Sequence, residues 1–305
     1  MANTRLQSAV LSGGLLVLAT VACAGASAGT IPLEVGLRAR LLAPGEPLRV
    51  VVRAPVPMAS VRATFLGHGI FMVRTRTLTE GDLSLELWSG WTLIGLDQGS
   101  GQAVLEVSGT TQAGREAAGT RAVSIQSKQF PVEELSVAPK FVTPPPEVEK
   151  RLQRERRKLS GLYKRRNSLP PPEGSFGRPV PGQPSSAFGT RRMFNGKPRS
   201  PHPGLDLRAG TGTPVSAAGS GIVVLAEDLY YSGNTVILDH GGGLFTLYAH
   251  LSEIRVEEGQ EVRKEQVVAL SGATGRVTGP HLHWGAKIGN RPFDPMALLD
   301  EALFE

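Results

Sequence analysis

The sequence predicts a mainly β protein of two β-rich domains joined by a short basic helix. Three features carry this. Residues 29 to about 140 alternate apolar and polar positions in short runs, as in Leu48-Arg49-Val50-Val51-Val52, Val61–Phe65, Leu83–Leu87 and Ala103–Val107. From about Ser175 dense glycine and β-branched runs recur without any long amphipathic helix between them, which excludes a parallel βαβ sheet. The chain also holds 37 Gly and 23 Pro in 305 residues, a composition rich in turns.

The elements follow in order. Residues 1–28 read as an export signal. Arg5 gives a positive start, Ala9 to Ala22 is apolar and uncharged, and Ala26-Ser27-Ala28 resembles a cleavage site. The apolar run is shorter than the ~20 residues of a spanning helix. Cys23, after Thr20-Val21-Ala22, sits in a lipobox-like context, so a lipid anchor is the alternative to a cleaved signal. It is also the only cysteine, which leaves neither a disulfide framework nor a thiolate metal site.

Residues 29–140 are expected to form a β-sandwich of about seven strands, immunoglobulin-like in outline. His68 stands alone there, and this domain is read as a scaffold or binding module. Residues 141–174 hold two proline-rich linkers around a basic segment. Nine basic residues against three acidic ones lie between Glu147 and Arg166, a net +6 that equals the charge of the whole chain. The basic pI therefore reports this segment and not a nucleic-acid-binding face. Val148, Leu152, Leu159, Leu162 and Tyr163 fall on one helical face. The segment is either an amphipathic linker or a patch for an anionic wall polymer or membrane surface. Residues 175–299 are expected to form an antiparallel β domain, with strands at Gly221–Leu225, Thr235–Leu238, Phe245–Ala249, Gln266–Leu270 and His283–Ile288.

Four of the six histidines stand beside suggestive neighbours in that last domain. In His202-Pro203-Gly204-Leu205-Asp206 the Pro-Gly turn lets an imidazole and a carboxylate converge. In His281-Leu282-His283 alternate strand positions put both imidazoles on one face, about 7 Å apart. His250 ends an apolar run, Tyr248-Ala249-His250-Leu251. Two imidazoles and a carboxylate with an open position make a catalytic zinc site, and further imidazoles supply acid–base function.

These motifs resemble the lysostaphin and LytM-type zinc endopeptidases of bacterial cell walls. The resemblance covers about residues 185 to 296 and runs in order through Phe188-Gly189 with Arg191-Arg192, His202-x-x-x-Asp206, Asp239-His240-Gly241, Tyr248-Ala249-His250-Leu251, His281-Leu282-His283 and Asp294-Pro295. It implies a LytM-type, duplicated-hybrid-motif-like catalytic domain with one zinc ion held by His202, Asp206 and His283. It makes His250 and His281 the catalytic pair and leaves His240 structural. The implied activity is hydrolysis of the peptide cross-links of peptidoglycan, in the periplasm or cell envelope. A non-catalytic activator of the same fold is the alternative, though such relatives lack ligands or catalytic histidines. The four-residue spacing of His202 and Asp206 argues against a zinc D,D-carboxypeptidase pattern, and no modification motif surrounds Lys264 to support a biotinyl or lipoyl carrier.

Overall fold

A computed structural model of the chain describes residues 29–80, 83–135, 144–165, 172–194, 196–198 and 200–304. The predicted export signal with Cys23 and parts of both proline-rich linkers lie outside the described residues.

The N-terminal region is built from β1 (Ile31–Pro32), β2 (Glu34–Arg38), β3 (Pro47–Ala54), β4 (Met58–Phe65), β5 (His68–Ile70), β6 (Val73–Glu80), β7 (Leu83–Leu93), β8 (Gly101–Thr111) and β9 (Glu116–Ile125). They form two sheets, ordered β1-β9-β8-β4-β5 and β2-β3-β7-β6. Period-two patterning explains both. β3 buries Leu48, Val50, Val52 and Ala54, and β4 and β9 bury Val61, Ala63, Phe65, Ala117, Val123 and Ile125 against them in one core. Each fully buried aliphatic side chain of this kind stabilises by roughly 1.5–3 kcal/mol. The short edge strands β1 and β5 raise the strand number above the seven expected from pattern. Two or three residues are too few to show a period.

Next come β10 (Val132–Leu135) and the helix α1 (Glu149–Lys164). Leu159, Leu162 and Tyr163 of α1 pack on Leu225, Leu229, Ile237 and Phe245 of the C-terminal region, and Leu152 is buried as well. The expected apolar stripe is therefore a docked face. Tyr163 meets Phe245 edge-on at 5.3 Å, and the Arg151 guanidinium bonds to the Asp228 carboxylate at 2.8 Å.

The C-terminal region contains β11 (Pro184–Ser186), β12 (Arg191–Phe194), β13 (Lys197–Pro198), β14 (Gly204–Leu207), β15 (Pro214–Ser216) and β16 (Gly221–Leu229). It continues with β17 (Gly233–Asp239), β18 (Leu244–Ile254), β19 (Glu261–Val262), β20 (Val267–Ser271), β21 (Leu282–Ile288) and β22 (Arg291–Phe293). An antiparallel sheet runs β11-β14-β21-β18-β17-β16-β19, with β15, β20 and β22 attached to it. All five strands expected here from sequence are present. Central strands are covered on both sides: Val236 and Leu238 face the main core while Ile237 faces α1. That double burial gives β17 its unbroken apolar run.

The two β regions are fastened together. β10 pairs in parallel with β12, with Glu133 in register with Arg192. Trp91 and Leu93 belong to the C-terminal core, and Phe304 meets Trp91 edge-on at 5.8 Å. The fully buried Glu46 carboxylate accepts from Arg40 at 2.8 Å and Lys128 at 2.7 Å, and Arg40 reaches across to Asp294 at 2.7 Å. Glu46→Ala leaves those two cations with only Asp294 and should lower stability by about 3 kcal/mol. Urea unfolding at neutral pH measures this; a loss below about 1 kcal/mol would show the cluster to be dispensable.

Candidate metal centre

The site lies where β14 and β21 run side by side. Asp206 stands directly opposite His283 in this antiparallel pair. Alternation then fixes which way both side chains point: Leu205, Leu207, Leu282 and Trp284 are sunk in the core, so Asp206 and His283 share the other face. Gly204 makes room for the ring. A Cβ there would stand 2.7 Å from His283 Cε1 and from the Trp284 carbonyl oxygen. Before β14, the His202 N–H donates to the Thr190 carbonyl and its own carbonyl accepts from Gly189, which folds His202 in over the strand.

Three donor atoms converge. His202 Nε2 lies 3.0 Å from Asp206 Oδ1 and 3.1 Å from His283 Nδ1, and His283 Nδ1 lies 2.8 Å from Asp206 Oδ1. Their surroundings orient them. His202 Nδ1 is 3.0 Å from the Ala187 carbonyl, so Nδ1–H donates there and the Nε2 lone pair faces the cluster. Asp206 Oδ2 accepts from Arg192 Nη2 at 2.6 Å, which leaves Oδ1 to the cluster. The group is able to coordinate a metal ion. Two imidazole nitrogens and one carboxylate oxygen, with no cysteine among the described residues, suit a borderline divalent cation.

His250 and His281 stand beside this cluster. His281 Nδ1 is 2.9 Å from the Gly279 carbonyl, and its Nε2 is 3.7 Å from Asp206 Oδ1. His250 Nδ1 is 2.9 Å from the Thr274 carbonyl, and the two rings are 4.9 Å apart between centroids. In both, Nδ1–H donates to the backbone and Nε2 keeps its lone pair. His250 adopts a left-handed backbone, φ 63°, sparsely populated by non-glycine residues. Its N–H bond to the Ser232 carbonyl, 2.9 Å, holds that conformation.

Burial sets the charges. It pushes the His202 imidazole down, and it pushes His250 down to about 3 with help from the neighbouring His283 and His281. Burial alone would raise the Asp206 carboxyl. The hydrogen bonds from His202 and His283 outweigh it and hold that group well below the usual carboxylate range. In the geometry shown, burial disfavours the charged forms of the His202 and His250 imidazoles, while Asp206 stays a carboxylate.

The structure thus brings His202, Asp206, His250, His281 and His283 together, and leaves the exposed His68 in β5 and the buried His240 apart. Sequence reasoning assigned no role to Arg192. Its place beside Arg191 in the resemblance was the only signal available, because the contact with Asp206 is made by folding.

Comparison with known proteins agrees with this geometry. The site defines a metallopeptidase-like β region. Residues 200–295 match Peptidase family M23, so this segment is homologous to the M23 zinc metallopeptidases of the lysostaphin and LytM kind. The chain is 45% identical over 113 residues to a peptidoglycan DD-endopeptidase, ShyA, of Vibrio cholerae, covering 37% of this chain and 26% of that protein. It is 42% identical over 97 residues to a DD-carboxypeptidase/endopeptidase, Mpg, of Neisseria meningitidis, covering 32% and 22%. The alignments therefore span about a quarter of the length of these relatives. A crystal structure from Pseudomonas aeruginosa assigned to peptidase M23 superposes with a TM-score of 0.61 at 29% identity, covering 86% of this chain and 96% of that one.

His240 gives a test of the surrounding fold. Its Nδ1 is 2.7 Å from the Ser220 carbonyl and its Nε2 is 2.7 Å from Thr246 Oγ1. Burial pushes it down to about 4. A histidine that protonates less readily folded than unfolded contributes stability that is complete above its unfolded pKa and lost as pH falls. Between about pH 6.5 and 4 the loss should approach about 3 kcal/mol. Urea unfolding of the native chain and of His240→Gln across this range checks it. The variant should show a shallower decline, and identical slopes would contradict the assignment.

Proposed function

We propose that this protein is a zinc-dependent endopeptidase that hydrolyses peptide cross-links of bacterial peptidoglycan in the cell envelope. The observation that carries the reading is the convergence of His202 Nε2, Asp206 Oδ1 and His283 Nδ1 beside two imidazoles with free Nε2 atoms. His202, Asp206 and His283 would hold one zinc ion. Zinc, when bound, supplies Lewis acidity that polarises the scissile carbonyl and acidifies the attacking water. His250 and His281 supply the proton transfers. With Nδ1–H committed to a backbone carbonyl, each ring offers only Nε2 to take a proton from water, to bond to the developing oxyanion once protonated, or to protonate the leaving amine.

The names of the aligned relatives, a peptidoglycan DD-endopeptidase and a DD-carboxypeptidase/endopeptidase, support the substrate class. On this reading the bond cut joins D-alanine to diaminopimelate between stem peptides. Residues 175–299 form the catalytic domain, and residues 29–140 an immunoglobulin-like accessory. The strand order of its two sheets, β2-β3-β7-β6 against β9-β8-β4, supports that likeness. The exposed Lys150, Arg154, Arg156, Arg157 and Lys164 of α1 suit contact with an anionic wall polymer or membrane surface. Residues 1–28 act as an export signal to the periplasm, with lipidation at Cys23 as the alternative end state. A non-catalytic activator role finds no support, because all five site residues are present and gathered.

Purified protein should carry about one zinc ion and lose activity to chelators. His283→Ala should lose both metal and activity. His281→Ala should keep the metal while turnover on muropeptides falls by roughly 10² or more, followed by mass spectrometry of the products. Full activity without metal, or release of glycan chains with intact peptides, would overturn the proposal.

A further inference from the structure

The residues around Asp206 treat its two oxygens differently. Oδ1 faces the two imidazole donors at 2.8 and 3.0 Å, whereas Oδ2 is taken by Arg192 Nη2 at 2.6 Å. A carboxylate free to rotate can close on a cation with either oxygen or with both. One whose second oxygen is held offers a single donor and leaves a coordination position open.

Arg192 is itself held. Its Nη2 also donates to Ser186 Oγ at 3.0 Å, and that hydroxyl donates to Glu133 Oε2 at 3.0 Å. Glu133 Oε2 lies 3.5 Å from Arg192 Nε, a buried atom with no hydrogen bond of its own. Strand register makes this arrangement. Ser186 of β11 is paired with Asp206 of β14, and Glu133 of β10 is in register with Arg192 of β12. A guanidinium touching a ligand carboxylate would by itself repel a divalent cation, and the Glu133 charge offsets that repulsion. Glu133, Ser186 and Arg192 all precede the segment matched by the family.

We propose that Arg192 and Glu133 are positioning residues of the metal centre: Arg192 holds Asp206 so that only Oδ1 faces the metal, and Glu133, delivered by β10, fixes and neutralises Arg192. This rests on the reading of Asp206 as a metal ligand given above. The segment leading out of the N-terminal sheets thereby becomes part of the centre.

The test measures the zinc dissociation constant of the full chain by competition with a chromophoric chelator, and the visible spectrum of its cobalt(II) form. Glu133→Gln should weaken zinc binding by roughly three- to tenfold, and Arg192→Met by roughly tenfold or more. The double variant should match Arg192→Met within about twofold, because Glu133 acts through Arg192. Arg192→Met should also dim the cobalt bands as Asp206 closes with both oxygens and coordination rises. A packing role alone would lower stability without altering the spectrum per bound ion. Affinities within about twofold of the native chain, or additive losses, would overturn the inference. Should Arg192→Met not fold, Glu133→Gln, whose side chain is partly exposed, decides by its zinc affinity. His283→Ala separates the two readings: if it binds zinc like the native chain, the metal assignment itself fails.

Discussion

The pairing of β14 with β21 is the constraint from which the site follows. Alternate residues of both strands, Leu205, Leu207, Leu282 and Trp284, are locked in the core, and this forces Asp206 and His283 onto the opposite face as direct neighbours. A slip of one residue would send both donors inward and four apolar side chains outward, a change far costlier than any preference of the donors themselves. The bare backbone at Gly204 is the matching condition, since any Cβ would collide with the His283 ring. Metal-binding geometry is here a by-product of hydrophobic register.

The remaining histidines are fixed by a different device. His202, His250 and His281 each commit Nδ1 to a backbone carbonyl, of Ala187, Thr274 and Gly279 respectively. Their rings are thereby held by the chain's own turns, and His202 and His281 turn Nε2 towards Asp206. At His250 this requires a left-handed backbone, an unfavourable conformation that its bond to Ser232 maintains. Local strain there serves the placement of one imidazole.

Much of this was legible in the sequence because it depends on short spacings. The four-residue gap from His202 to Asp206 and the alternation in His281-Leu282-His283 encode convergence locally, and the apolar runs encode the central strands. The strands Leu48–Val52 and Phe245–Ala249 both lie inside observed elements. The contacts that tie the regions together were not legible. β10 has only four residues, and its partner β12 lies some sixty positions later, so no period or spacing announces the pairing. The salt-bridge cluster of Arg40, Glu46, Lys128 and Asp294 likewise joins distant positions, and in sequence each member reads as a solvated charge. Helix α1 showed its apolar stripe plainly, but what the stripe covers, Leu225, Leu229, Ile237 and Phe245, is set by the tertiary fold.

The central claim is that the metal is held by the converged triad and not by the flanking histidines. A zinc-edge anomalous difference map from crystals of the zinc-loaded full chain addresses it directly. One strong peak is expected within bonding distance, about 2.0–2.2 Å, of His202 Nε2, Asp206 Oδ1 and His283 Nδ1, with His250 and His281 outside that distance. A peak bonded to His250 or His281 in place of any triad member would contradict it.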